Sequence, residues 1–75
     1  MSRHLPDPPR WTCRECAADW PCQTRREQLR ELYGGDRVLL HIAMAPEFVQ
    51  AVDDLQDLRP GAVWDRFLGW IRRGP

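Results

Sequence analysis

Three cysteines fall between Cys13 and Cys22, spaced Cys-x2-Cys-x5-Cys, with Trp11 just before them and Trp20 inside the second gap. Both gaps are short enough for one metal ion to hold all three sulfurs. A Cys-x2-Cys turn also aims backbone N–H groups at the thiolates it presents. Structural zinc is nearly always four-coordinate, with cysteine and histidine ligands, so three thiolates require a fourth partner. His4 sits a short, proline-rich loop upstream and is favoured for that place. His41 is the second candidate, but it lies in an apolar run where a hydrogen-bonded or half-exposed helical histidine is the plainer reading. A water, the Asp19 carboxylate or a neighbouring chain completes the alternatives. The leading expectation is a Cys3His zinc site made of His4, Cys13, Cys16 and Cys22. It competes with three reduced structural thiols, or with a Cys13–Cys16 disulfide that leaves one thiol over. Iron suits thiolate ligands as well; a site sized for one ion favours zinc.

A staple of this kind answers a need set by length. The chain has 75 residues, and at this size a hydrophobic core supplies only about 3–5 kcal/mol. Small domains bury a lower fraction of their surface, so metals, disulfides or oligomerisation often supplement them. A single domain over 1–75 is expected, with the knuckle in 1–22 and helices in 23–75. Four tryptophans give so short a chain large apolar side chains to bury.

Eleven arginines balance eleven carboxylates, and lysine is absent. Zero formal net charge argues against a protein held to nucleic acid by general backbone attraction. Local recognition of a carboxylate or phosphate by arginine stays open. The opening residues carry no apolar signal-like core, and no apolar run approaches the roughly 20 residues of a membrane span. The cytoplasm is therefore the expected location, where clustered thiols more often bind metal than form disulfides.

Beyond the knuckle the patterning is helical, and the expected fold class is all-α, with three to four short helices stapled by the N-terminal zinc knuckle. The first helix is predicted over about 23–33, with Thr24 and Glu27 as a capping box. Leu29, Leu32 and Tyr33 are its buried face, and Arg25, Arg26, Arg30 and Glu31 face solvent. Gly34-Gly35 stops it. Asp36 can cap a second helix through Val38, Leu39, Leu40, Ile42 and Met44. A short buried strand is the alternative for this dense run, but no second strand-like segment exists to pair with it. Pro46 interrupts the run and fits the first turn of a third helix over about 46–57, with Phe48, Val52 and Leu55 inward. Arg59-Pro60-Gly61 reads as a turn. The last helix, about 62–73, is the most apolar and ends on Arg72 and Arg73, which suits the negative end of its dipole.

The order of these signals resembles a known group. His4 with its Pro-rich loop, Trp11-x-Cys13-x-x-Cys16, Trp20-Pro21-Cys22, the Gly34-Gly35-Asp36 break and Asp65-Arg66-Phe67-Leu68-Gly69-Trp70 are similar to a set of small actinobacterial zinc-knuckle proteins, some of which carry the label flavin reductase. The resemblance implies a shared fold and a shared metal site at His4, Cys13, Cys16 and Cys22. It implies no reaction, and nothing in this chain resembles a flavin- or nicotinamide-binding loop. Pro46 departs from the group, where the corresponding stretch reads as a longer helix.

Catalysis at a metal needs an open coordination position, and covalent catalysis needs a nucleophile beside a base. Four filled ligand positions leave neither, so no catalytic residue is expected. The leading reading is a non-enzymatic module that contacts another protein. Its candidate surface is the acidic face of the third helix (Glu47, Asp53, Asp54, Asp57) with Trp70 and Arg66 of the last helix. Trp70 lies off the buried stripe Trp64, Phe67, Leu68 and Ile71, and an exposed tryptophan beside arginine suits an interface. A nucleic-acid contact through Arg14, Arg25, Arg26 and Arg30 is the second reading. Redox or flavin-related chemistry at Cys13 and Cys16 is the third.

Overall fold

Prolines 6, 8 and 9 keep the opening segment out of helix, and in the computed structural model, which describes residues 3–73, it folds back on itself. Strand β1 (Pro6–Asp7) pairs antiparallel with β2 (Thr12–Cys13), Pro6 opposite Cys13 and Asp7 opposite Thr12. The Arg14 N–H extends the ladder to the Leu5 carbonyl at 3.0 Å. After the cysteine turn the chain comes back along the other edge of β2. There Cys13 N–H donates to the Ala18 carbonyl at 2.7 Å and Trp20 N–H to the Trp11 carbonyl at 2.9 Å. The molecule is thus broadly helical but carries a small two-stranded sheet, which corrects the all-α expectation. Strands of two residues leave no alternating pattern to read in a sequence.

Helix α1 (Gln23–Leu32) starts directly after Cys22. The expected Thr24 capping box does not form. Cys22 itself is the extended N-cap, and it makes no side-chain cap bond. The cysteine turn fixes the chain direction there before Thr24 is reached. The far end follows expectation. Gly34 and Gly35 have φ of 60° and 74°, Gly35 N–H donates to the Arg30 carbonyl and Gly34 N–H to that of Glu31. This is the paired closure of a glycine C-cap. The Asp36 carboxylate then accepts from Val38 and Leu39 N–H at 2.9 and 3.1 Å, opening α2.

Helix α2 (Arg37–Asp54) runs unbroken through Pro46, so the two helices expected on either side of that proline are one. Proline forfeits a single N–H and crowds the carbonyl of Ile42, a cost of about 3 kcal/mol. One apolar face spans both sides of it, with Leu40, Met44 and Ala51 buried, and that shared burial holds the helix together.

The last helical path begins at Pro60, placed at the first turn. It comprises α3 (Pro60–Trp64), a wider π turn (Asp65–Gly69) and α4 (Trp70–Arg73). The extra residue in the wide turn accompanies a burial pattern broader than a single helical stripe. Phe67, Leu68, Gly69, Trp70 and Ile71 are consecutive and all buried. Trp70, expected to lie off the core stripe, is 2% exposed and donates its indole N–H to the Phe67 carbonyl. Together with Trp11, Leu40, Met44 and Val63 these side chains make the core. No helix among the described residues is long and apolar enough to cross a membrane.

Replacing the exposed Pro46 with alanine is expected to restore the missing helix bond and relieve the ring clash. Denaturant melts of the variant should show a gain of about 1–3 kcal/mol; an unchanged midpoint would mean the helix has already absorbed the proline without cost.

Candidate metal centre

The two antiparallel turns of the knuckle bring His4, Cys13, Cys16 and Cys22 together, with one donor atom from each lying within 4.8 Å of every other. His4 Nδ1 stands 3.3 Å from both the Cys13 and the Cys22 sulfur. A tetrahedral zinc with its usual bond lengths separates a ligand nitrogen and sulfur by about 3.5 Å. Three thiols and an imidazole at these spacings could hold a metal ion. The donor set suits zinc, and the distances leave its identity open.

His4 takes the fourth place because main-chain and side-chain bonds put it there. The β1–β2 register carries the arm alongside the cysteine turn, and Trp20 anchors it by donating its indole N–H to the His4 carbonyl at 2.9 Å. His41 lies elsewhere, half-buried on α2, with its Nδ1 2.7 Å from the Arg37 carbonyl. Asp19 is exposed and near Arg66, outside the cluster.

Burial raises the Cys13 thiol, yet backbone N–H groups of Cys16 and Glu15 at its sulfur, with side-chain bonds from Cys16 and His4, bring it down to about 6. This is the N–H-lined turn expected of Cys-x2-Cys. The Cys22 thiol is raised, first by burial and then by its cysteine neighbours. Two crowded sulfurs thus resist ionising together, and a cation between them removes that conflict. Cys13 and Cys22 are buried while Cys16 is exposed, so the cluster has one face toward solvent. Ala17, which closes the turn, is held at φ 62°, a conformation in which a side chain costs about 1 kcal/mol.

The knuckle is locked to the helices by contacts remote in sequence. Trp11 and Trp20 are buried and meet Phe67 at ring distances of 5.4 and 5.9 Å, Trp11 edge-on. Trp11 sits at φ 57°, unfavourable for a bulky residue. Its N–H donates to the Asp7 carbonyl at 2.9 Å, and three further bonds hold it in that state. Its indole N–H donates to Asp54 at 2.8 Å, its carbonyl accepts from Trp20, and Arg66 bonds the same carbonyl. Arg66 also donates to the Trp20 carbonyl at 3.1 Å.

These contacts redistribute the residues expected at a partner surface. Trp70 is core, and Arg66 is a largely buried clamp, its side chain 15% exposed. Asp54 anchors Trp11. Asp53 and Asp57 alone of that group stand fully exposed. The α1 arginines also turn inward rather than forming a solvated face. Arg30 lies over the Trp70 ring at 5.0 Å and donates to the Trp70 carbonyl. Arg26 lies over the same ring at 6.0 Å and donates to the Pro21 carbonyl. Its pKa is lowered by burial first and then by the like charges of Arg73 and Arg30. Leu32, expected inside, is correspondingly 68% exposed. Aliphatic stems and stacked guanidinium groups cover the apolar surface that leucine was expected to cover. Arg10 and Arg14, close in sequence to the cysteines, are exposed, and Arg14 faces Asp7 at 3.8 Å. Arg66 and Asp54 were missed as clamps because they meet their partners more than forty positions away.

Compared with models of protein families, with curated proteins and with solved structures, the chain finds no match.

Two outcomes test this arrangement. Arg66→Ala leaves two main-chain carbonyls without their charged donor and should lower stability by about 2–3 kcal/mol in denaturant melts. Lysine, with a single ammonium, should recover only part of that. Ala17→Gly should raise stability by about 0.5–1 kcal/mol, since glycine adopts the turn conformation freely; a loss would show that the methyl group contributes packing that outweighs its strain.

Proposed function

We propose that this chain is a small zinc-stapled module without catalytic activity, which acts by contacting another protein as an accessory or regulatory part. The observation that carries the reading is the convergence of His4, Cys13, Cys16 and Cys22. Four such donors saturate a tetrahedral ion and leave no open position for substrate. The ion is structural: it joins the arm, the cysteine turn and the start of α1, a closure absent from the unfolded chain, so that binding energy becomes folding energy. The motif resemblance to small actinobacterial zinc-knuckle proteins supports the same reading, and a reducing cytoplasm would keep the ligands available.

Redox chemistry is the alternative favoured by one feature, the exposed Cys16 beside a Cys13 thiol of lowered pKa. A nucleic-acid contact is the weaker alternative, since Arg26 and Arg30 are engaged with Trp70.

Elemental analysis of purified protein should find one zinc per chain. Cys22→Ala should lose it and His4→Ala should hold it at least tenfold more weakly. Chelation should abolish the helical circular dichroism signal at a temperature where the loaded protein is fully folded. A metal-free preparation with an unchanged melt would overturn the staple.

A further inference from the structure

The four donors of the cluster differ in what can reach them. Cys13 and Cys22 are 2% and 4% exposed, His4 is half-buried, and Cys16 is exposed. A reagent in solvent therefore meets the cluster at Cys16. The neighbour that can complete a reaction there is also in place. Ala17 N–H closes the cysteine turn on the Cys13 carbonyl at 2.9 Å, and the Cys16 side chain bonds the Cys13 sulfur. An accessible sulfur poised beside a second thiol is the arrangement of a cysteine that oxidises reversibly.

We infer that the metal centre is a peroxide-sensitive latch: a hydroperoxide oxidises Cys16, Cys13 closes on it as a disulfide, and the ion is released. The inference deepens the metal reading and rests on it, for it concerns control of the staple rather than turnover of a substrate. The Cys16 thiolate attacks the peroxide. An S–O bond forms, the O–O bond breaks, and the departing oxygen takes a proton from solvent and leaves as water or an alcohol. The Cys13 thiolate then attacks the Cys16 sulfur. The S–S bond forms, the S–O bond breaks, and hydroxide takes a second proton and leaves as water. Two thiolates have given up two electrons and the peroxide has gained them. Zinc has no redox chemistry of its own and is left with His4 and Cys22, half its ligand set.

The disulfide does not replace the closure it removes. It links two residues of one turn, and the restraint that a cross-link places on the unfolded chain grows with the loop it closes. The ion ties His4 to Cys22 across β1, β2 and the cysteine turn, up to the start of α1. Without it the arm depends on the short β1–β2 ladder and on the Trp20 bond to the His4 carbonyl. Oxidation thus loosens the knuckle from the helices.

The zinc-loaded full chain, mixed with excess hydrogen peroxide beside a chromogenic zinc indicator, tests the latch. Zinc should leave in step with a Cys13–Cys16 disulfide, located by peptide mass mapping, while Cys22 stays open to alkylation. A sulfenic-acid trap added with the peroxide should label Cys16. The melting temperature should fall on oxidation, and dithiothreitol with zinc should restore it. Cys16→His keeps a donor set of two cysteines and two histidines without the exposed sulfur, and should slow peroxide-driven release about tenfold. Zinc that stays bound in peroxide sufficient to oxidise free cysteine overturns the inference. So does first labelling at Cys13 or Cys22, a disulfide to Cys22, or a melt that oxidation leaves unchanged. All of these are read on the wild type and stand whether or not the histidine variant folds. Zinc measured before the peroxide separates the two readings: a chain metal-free from the outset rejects staple and latch together, and a loaded chain that keeps its ion rejects the latch alone.

Discussion

Four ligand-type side chains crowded within 4.8 Å set the constraint on which the remainder of this molecule leans. Burial first, and then its cysteine neighbours, push the Cys22 thiol up, while at Cys13 burial is outweighed by N–H groups and neighbouring side chains at its sulfur that draw the thiol down. The same crowding fixes chain direction. It holds the His4 arm against the cysteine turn, sets Cys22 as the first point of α1, and leaves Trp11 and Trp20 on the side that meets Phe67. A short chain can then use the knuckle as one wall of its core.

The wall is fastened from the helices. Arg66 reaches back from the π turn to the carbonyls of Trp11 and Trp20, and Asp54 receives the Trp11 indole from the end of α2. The Asp54 bond satisfies the indole N–H of buried Trp11, and Arg66 adds a charged donor to a Trp11 carbonyl that already accepts from Trp20 N–H. Together they hold Trp11 in a left-handed conformation that a large side chain avoids. Arginines of α1 seal the remaining side by lying over Trp70. In a chain without lysine, the stacking and forked donation open to guanidinium become part of the core boundary.

The aromatic last helix and the acidic end of α2 thereby act within the fold, and the outward apolar surface is found on the opposite side of α2. A helix that is apolar on two sides buries one face in its own core and still presents the other. The middle of that outer face carries no exposed charge.

Local chemistry was readable in advance. The grouping of His4 with Cys13, Cys16 and Cys22 follows from thiol spacing and a proline-stiffened arm, the Gly34-Gly35 stop from left-handed backbone, and the Asp36 cap from its carboxylate. Each depends on neighbours a few residues away. What resisted reading was governed by burial. Continuity through Pro46 depends on a core face shared across it, and the two short strands exist because the knuckle folds back on itself. Trp70 is inside because a wide turn adds a residue to the helix, shifting the stripe on which periodicity arguments rest. Arg66, Asp54 and Arg30 became clamps through partners about forty or more positions distant. A side chain's polarity states what it must be paired with, but packing alone settles which partner arrives, since that depends on where the whole chain excludes water.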